Sequence, residues 1–280
     1  MIFVFAALFI LALVWSLRSL RAARAMGLAA PRGGYPFRDT GRHYKKHYCR
    51  RGFLRLGGAV AVAAALVYSG TDTAVDSWHA SRIRSTGTDK TAHFFKIFGE
   101  RFWFGFWGSF MLLDSLIAST PLSRWGRRTF EAMVVGLPAL WTTQRVLGAS
   151  RPTDGEERPD HVPDPRYRPF ADDNSASGHA FIAAIPWLTL RRHSTVRPGR
   201  LAALAAALPT GWSRLNDRKH FFSQIVLGYT LAWQAVDTVG DVGDVGDIGA
   251  GPEPDIEKPR RDIDPDGAEI STGDFRSELS

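Results

Sequence analysis

The chain has 280 residues, with 35 Lys and Arg against 28 Asp and Glu, and a single cysteine, Cys49. One cysteine excludes an intrachain disulfide framework and a thiolate metal cluster. The formal charge of +7 does not point to nucleic acid as a partner, because the basic residues lie in short stretches beside apolar segments, the pattern that membrane topology produces.

Ile2 to Leu17 is apolar throughout and is followed directly by Arg18, Arg21 and Arg24. A cleaved secretion signal carries its positive charge ahead of the apolar stretch, so the order here predicts an uncleaved anchor helix over 1–17. Residues 18–51 are strongly basic and carry Gly and Pro, as in Pro31-Arg32-Gly33-Gly34. They read as a cytoplasmic linker lying along an anionic leaflet. Phe53 to Ser69 is the next apolar run, rich in Ala and Val. A polar stretch follows to Lys90, then Phe94-Phe95-Lys96-Ile97-Phe98, where aromatics mixed with Lys96, Glu100 and Arg101 suit the membrane interface. Further spans are predicted at Phe102 to Ala118, Phe130 to Leu147, His179 to Leu190, Leu201 to Leu215 and His220 to Val236. Several are shorter than the roughly 20 residues that cross a hydrocarbon core, so their ends must extend into polar flanks or the helices must pack tightly. From about Val239 the run Gly-Asp-Val-Gly-Asp-Val-Gly-Asp-Ile-Gly opens an acidic tail, 239–280. It has too little apolar surface to offset its ordering entropy and is expected to be disordered.

The fold class these elements imply is all-α: a polytopic membrane helical bundle of six core helices over 52–238, plus the N-terminal anchor helix. Loop charge orients it. The connection 119–128 carries Arg124, Arg127 and Arg128 and no acid, and 191–200 carries Arg191, Arg192, Arg197 and Arg200 and no acid. With 18–51, three basic segments fall at alternating connections, which places them in the cytoplasm. The connections 70–101, 148–178 and 214–220 then face the outside of a bacterial inner membrane. The competing reading is a soluble α-helical enzyme with buried helices, since apolar runs of this length occur in large soluble cores; the agreement of loop charge with a single topology makes it the weaker one.

The outward connections hold the polar chemistry. One runs from Gln144-Arg145 through Ser150-Arg151-Pro152 to Asn174-Ser175-Ala176-Ser177-Gly178-His179, and another is Ser213-Arg214-Leu215-Asn216-Asp217-Arg218-Lys219-His220, followed by Gln224. Ionisable residues at membrane depth are functional candidates by default. Ser175 or Ser177 can cap the helix that follows, Gly178 lets the backbone approach a ligand, and the helix N-terminus favours an anion. Each piece alone has a plain alternative: a helix cap, a proline after a helix end, cations near headgroups. Together, two arginines can grip phosphate oxygens, and two histidines allow one nucleophile and one general acid. No His-Glu-x-x-His pair or spaced Cys/His set suggests a metal, and no cofactor is expected.

The ordered trio Arg151-Pro152, Ser177-Gly178-His179 and Ser213-Arg214 through His220 resembles the three-part signature of the type-2 phosphatidic acid phosphatase superfamily, over about residues 53–238. The resemblance implies that His220 attacks phosphorus to form a phosphohistidine. It also implies that His179 protonates the leaving oxygen and then activates water, and that Arg151, Arg214, Ser177 and the Gly178 N–H hold the transition-state charge. Two positions depart from that pattern. Gln144 stands where the superfamily has Lys, with Arg145 beside it, and Gln224 stands where it has the Asp that orients the nucleophilic His. Asp217, three residues before His220, is a candidate substitute. The function expected is metal-independent hydrolysis of a lipid phosphate monoester or diphosphate at the outer face, with an amphiphilic phosphate substrate and membrane lipids as partners. The alternative is a weak or inactive relative that binds lipid phosphate or has a structural role. The connection from Thr153 to Asn174, with Asp154, Glu156, Glu157, Arg158, Asp160, Arg166 and Arg168, is placed to cover the site.

Overall fold

A computed structural model of the chain describes residues 2–28, 32, 34–154 and 163–243, and all regular structure among them is helical. The chain runs through α1 (Ile2–Ala25), α2 (Thr40–His47), α3 (Arg50–Tyr68), α4 (Thr71–Arg82), α5 (Thr86–Lys96), a 3-10 turn (Ile97–Gly99) and α6 (Trp103–Leu112). A π-helical turn (Leu113–Ile117) continues α6, followed by α7 (Pro121–Leu147), α8 (Gly178–His193), α9 (Arg197–Ala207), α10 (Pro209–Asn216) and α11 (Phe222–Gly243). The all-α expectation holds among these residues. One of these helices, Arg50–Tyr68, is both long and apolar enough to cross a membrane by length and composition; Trp103–Ile117 is apolar but shorter.

Several boundaries differ from the sequence reading. The first helix runs eight residues past Leu17, because Arg18, Arg21 and Arg24 are good helix formers. The last helix continues to Gly243, so the acidic tail starts later than Val239, and residues 244–280 lie outside those described. The polar stretch 70–96 forms two helices; α5 opens with a capping box in which Ser85 and Thr88 exchange side-chain and backbone hydrogen bonds. The segment Leu201 to Leu215 is not one helix. Pro209 has no N–H, and α9 ends at Ala207 before α10 starts. Tyr229 of α11 fills the break: its hydroxyl lies 2.9 and 2.7 Å from the carbonyls of Ala207 and Leu208 and accepts from the Gly211 N–H at 3.1 Å. Any side chain on Gly211 would collide with that hydroxyl, 2.4 Å from a Cβ built there.

The expected linker 18–51 contains a docked element. His43 and His47 of α2 are buried, and Tyr44 and Tyr48 reach α7. Pro138 inside α7 cannot donate to the Val134 carbonyl, and the Tyr44 hydroxyl donates to it instead at 2.9 Å. The Tyr48 hydroxyl donates to the Val135 carbonyl at 2.8 Å and accepts from the Ala139 N–H at 3.1 Å, linking the backbone groups one residue further along each side of the proline. Two tyrosines thus satisfy the backbone groups that a proline leaves open.

The core lies where α7, α8 and α11 meet, around Met133, Phe181, Ile185, Leu227 and Leu231, all fully buried. Gly136 permits the contact: a Cβ there would come within 2.8 Å of both Ala235 and Phe181, the close approach that small residues allow between helices. The two ends of this bundle differ in chemistry. At one end the C-terminus of α7 and the N-termini of α8 and α11 meet the 3-10 turn and α10. At the other, the start of α7 adjoins the ends of α8 and α11: Trp125 donates to the Pro186 carbonyl at 2.8 Å, Arg128 reaches His193 at 2.8 Å, and His47 bonds Thr238 at 3.0 Å. The motif-bearing connections gather at the first end and the basic connections at the second.

Candidate functional site

The first end of the bundle holds a cavity of about 590 Å³. Arg101, Gln144, Arg151, Asp173, Asn174, His179 and His220 supply its polar wall, and Phe104, Leu137, Leu140, Trp141 and Ile182 its apolar wall. Gly178 lies between them at the N-terminus of α8. Residues from three separate connections therefore meet in one space.

His220 stands in the connection before α11, whose first residue is Phe222. That connection is pinned from α4. Asp72 is buried and accepts hydrogen bonds from the Ser223 N–H, at 2.7 Å, and from the Ser223 hydroxyl. Arg218 has φ of +52°, a region that residues other than glycine seldom occupy. Its guanidinium offsets this by reaching both Asp76 oxygens, at 3.3 and 3.0 Å. Neither acid was singled out from sequence, because 70–90 reads there as a plain polar loop.

Gln224 settles the state of His220. Its side-chain oxygen accepts from the Phe221 N–H at 3.2 Å and lies 2.9 Å from His220 Nδ1, and its amide nitrogen donates to the Ser150 carbonyl at 2.9 Å. An oxygen facing Nδ1 requires the hydrogen to be on Nδ1, which leaves the Nε2 lone pair free. Burial, together with the guanidiniums of Arg214 and Arg151 and the ring of His179, pushes the His220 ring down to about 3, against the raising effect of the Gln224 bond. The ring is neutral at pH 7. Asp217 does not take this role; it accepts from Arg214 Nη1 at 3.1 Å, three residues back on the same turn.

Gln144 lines the cavity, and its amide nitrogen donates to the Ala176 carbonyl at 2.7 Å, tying α7 to the Ser-Gly-His segment. Arg145 is exposed and does not join the cavity wall, as the 100° step along a helix dictates. A cation that sequence reasoning left at the interface, Arg101, lines the wall instead. Arg151 is held by its own backbone and side chain: its N–H donates to Asp154 at 2.6 Å and its Nε to Asn174 at 2.7 Å. Asp154 is thus a loop clasp, while Glu156, Glu157, Arg158 and Asp160 lie outside the described residues.

Two predicted residues stand behind the cavity wall. Ser177 is fully buried and is the N-cap of α8, its hydroxyl accepting from the Ala180 N–H at 3.3 Å. Arg214 is buried, near enough to His179 and His220 for its charge to act on both rings, and its Nε has no hydrogen-bond partner. His179 Nε2 is likewise without a hydrogen bond, with the Glu100 carboxylate 3.5 Å away. The unpartnered Arg214 Nε, close to Arg151, is a buried donor that an anion would complete. Among the described residues no three His, Cys, Asp or Glu side chains converge to ligate a metal. No protein-family model, curated protein or solved structure matches the chain.

Proposed function

We propose that this chain is a polytopic membrane phosphatase that hydrolyses an amphiphilic phosphate monoester or diphosphate without metal, through a phosphohistidine on His220. The observation that carries the reading is the convergence of Arg151, Gly178, His179 and His220 on one cavity, with the His220 Nε2 lone pair freed by Gln224. In the first step Nε2 attacks phosphorus, the bond from phosphorus to the leaving oxygen breaks, and that oxygen takes a proton from the His179 imidazolium. In the second, water loses a proton to neutral His179, attacks phosphorus, and the P–N bond breaks to release inorganic phosphate. Arg151, Arg214 and the amide at Gly178 offset the charge on the phosphoryl oxygens in both steps.

The two-sided cavity supports an amphiphile: a headgroup fits the polar wall and a chain the face built by Phe104, Leu137, Trp141 and Ile182. Membrane embedding is supported by bare apolar side chains around the bundle, among them Leu11, Trp15, Phe53, Leu54, Val62, Leu112, Trp141 and Leu201, all more than 45% exposed. The segregation of cationic connections from the motif end supports a site at the outer face of a bacterial inner membrane. One observation favours the second reading, a weak or inactive phosphate binder. Gln224 holds the ring of His220 but adds no charge to stabilise it once it carries phosphate. Purified protein in detergent with EDTA, given phosphatidic acid, phosphatidylglycerol phosphate and polyprenyl diphosphate, separates the two. Phosphate release above that of His220→Ala on any of them supports the enzyme.

A further inference from the structure

His179 must carry a second proton to act as an acid, yet burial opposes that charge first and its cationic surroundings oppose it further. Arg214 faces it from α10, Arg151 from the connection after α7, Lys96 from the end of α5, and Arg101 lines the same cavity; the neutral ring of His220 is also close. The carboxylates on this side are Glu100, 3.5 Å from His179 Nε2, and Asp173, which lines the cavity wall. Glu100 caps the 3-10 turn Ile97–Gly99, and that turn is fastened from several sides. The Trp103 indole donates to the Ile97 carbonyl at 2.8 Å, and Thr210 of α10 donates to the Phe95 carbonyl at 3.0 Å. Gly99 lies flat against the histidine, since a Cβ there would stand 2.6 Å from His179 Cβ and 2.7 Å from its carbonyl oxygen. The backbone that carries Glu100 is therefore built around His179.

We propose that Glu100 is a positioning residue for the general acid: it orients the His179 ring and, together with the bound anionic phosphate, stabilises the imidazolium that protonates the leaving oxygen. This rests on the phosphatase reading of the site. Glu100 carries no proton to the substrate itself. The proton passes from His179 to the leaving oxygen as the bond from phosphorus to that oxygen breaks, and is regained from the attacking water. Lys96, 3.9 Å from the same Glu100 oxygen, competes for the carboxylate from the exposed side.

The test follows the ring directly. The full chain is labelled with 13C,15N-histidine in detergent micelles, the His179 signal is assigned by its loss in His179→Ala, and its titration is compared between wild type and Glu100→Gln. A carboxylate at this distance shifts such a midpoint by about one to three pH units, so the midpoint is expected to fall by at least about one unit in Glu100→Gln and to be largely restored in Glu100→Asp. In phosphate-release assays the alkaline limb of kcat moves down with it, while KM stays within about twofold, the pattern for a group acting on the chemical step. Titration curves that superimpose, or a loss of activity equal at every pH, overturn the proposal. A wild type that releases no phosphate from any substrate overturns the phosphatase reading itself, whatever the titration gives, so the two failures are distinct.

Discussion

Gln224 bonds three different groups, and each constrains what can replace it. An aspartate could accept from His220 and Phe221 but would turn an oxygen toward the Ser150 carbonyl, where the amide now donates. The Gln224→Asp exchange therefore trades a better-stabilised imidazolium for a detached Arg151 loop. We expect a higher KM and a stability loss of about 1–3 kcal/mol, the cost of one unsatisfied buried group, measured by substrate titration and thermal unfolding in detergent. Gln224→Leu removes the tautomer control, and kcat should fall about hundred- to ten-thousand-fold. Gln144 bonds the Ala176 carbonyl and brings no charge, so Arg101 is the additional cation on the cavity wall. Arg101→Ala should raise KM about ten- to hundredfold with kcat nearly unchanged, the signature of lost charge-assisted binding. With the His220 ring pushed down to about 3, the proposed nucleophile is unprotonated across pH 5 to 8. Phosphoenzyme formation should show no acid limb from this ring between pH 5 and 8. The two glutamines were visible in the sequence as departures. Their partners, the carbonyls of Ser150 and Ala176, are backbone atoms brought close by folding, and no residue pattern announces them.

Helices that carry a long apolar run were legible from their sequence because burial leaves a continuous signal; α3, α6, α7, α8 and α11 all lie over the predicted segments. Elements whose stability comes from contacts across the fold were not. Basic α2 gives no apolar stripe; it is held by Tyr44 and Tyr48 on the α7 backbone beside Pro138. If Tyr44 replaces the donor lost to proline, Tyr44→Phe should destabilise the wild type by about 1–3 kcal/mol and clearly less in a Pro138→Ala background. A double-mutant cycle on unfolding free energies measures this, and equal losses in both backgrounds would separate the tyrosine from the proline. The break between α9 and α10 has a signal in the sequence, Pro209, which the apolar run Leu201 to Leu215 masked. Likewise α4 shows only scattered acids, and Asp72 and Asp76 acquire meaning from Ser223 and Arg218.

At the scale of the whole molecule the motif connections meet at one end and the basic connections at the other. The proposed topology, with a membrane between them, would put Cys49, the exposed sole cysteine, on the cytoplasmic side. A membrane-impermeant maleimide should leave Cys49 unlabelled in intact cells and label it after permeabilisation. In a Cys49→Ser background, Ser69→Cys should show the reverse. The cavity at the other end is where the proposed chemistry is placed. The central claim is tested most directly by phosphate release from the lipid phosphate panel in the presence of EDTA, with the wild type set beside His220→Ala. We expect release by the wild type and a 32P-labelled, acid-labile phosphoenzyme that His220→Ala cannot form. Equal release by the two proteins on every substrate, at the level of the uncatalysed reaction, would contradict it.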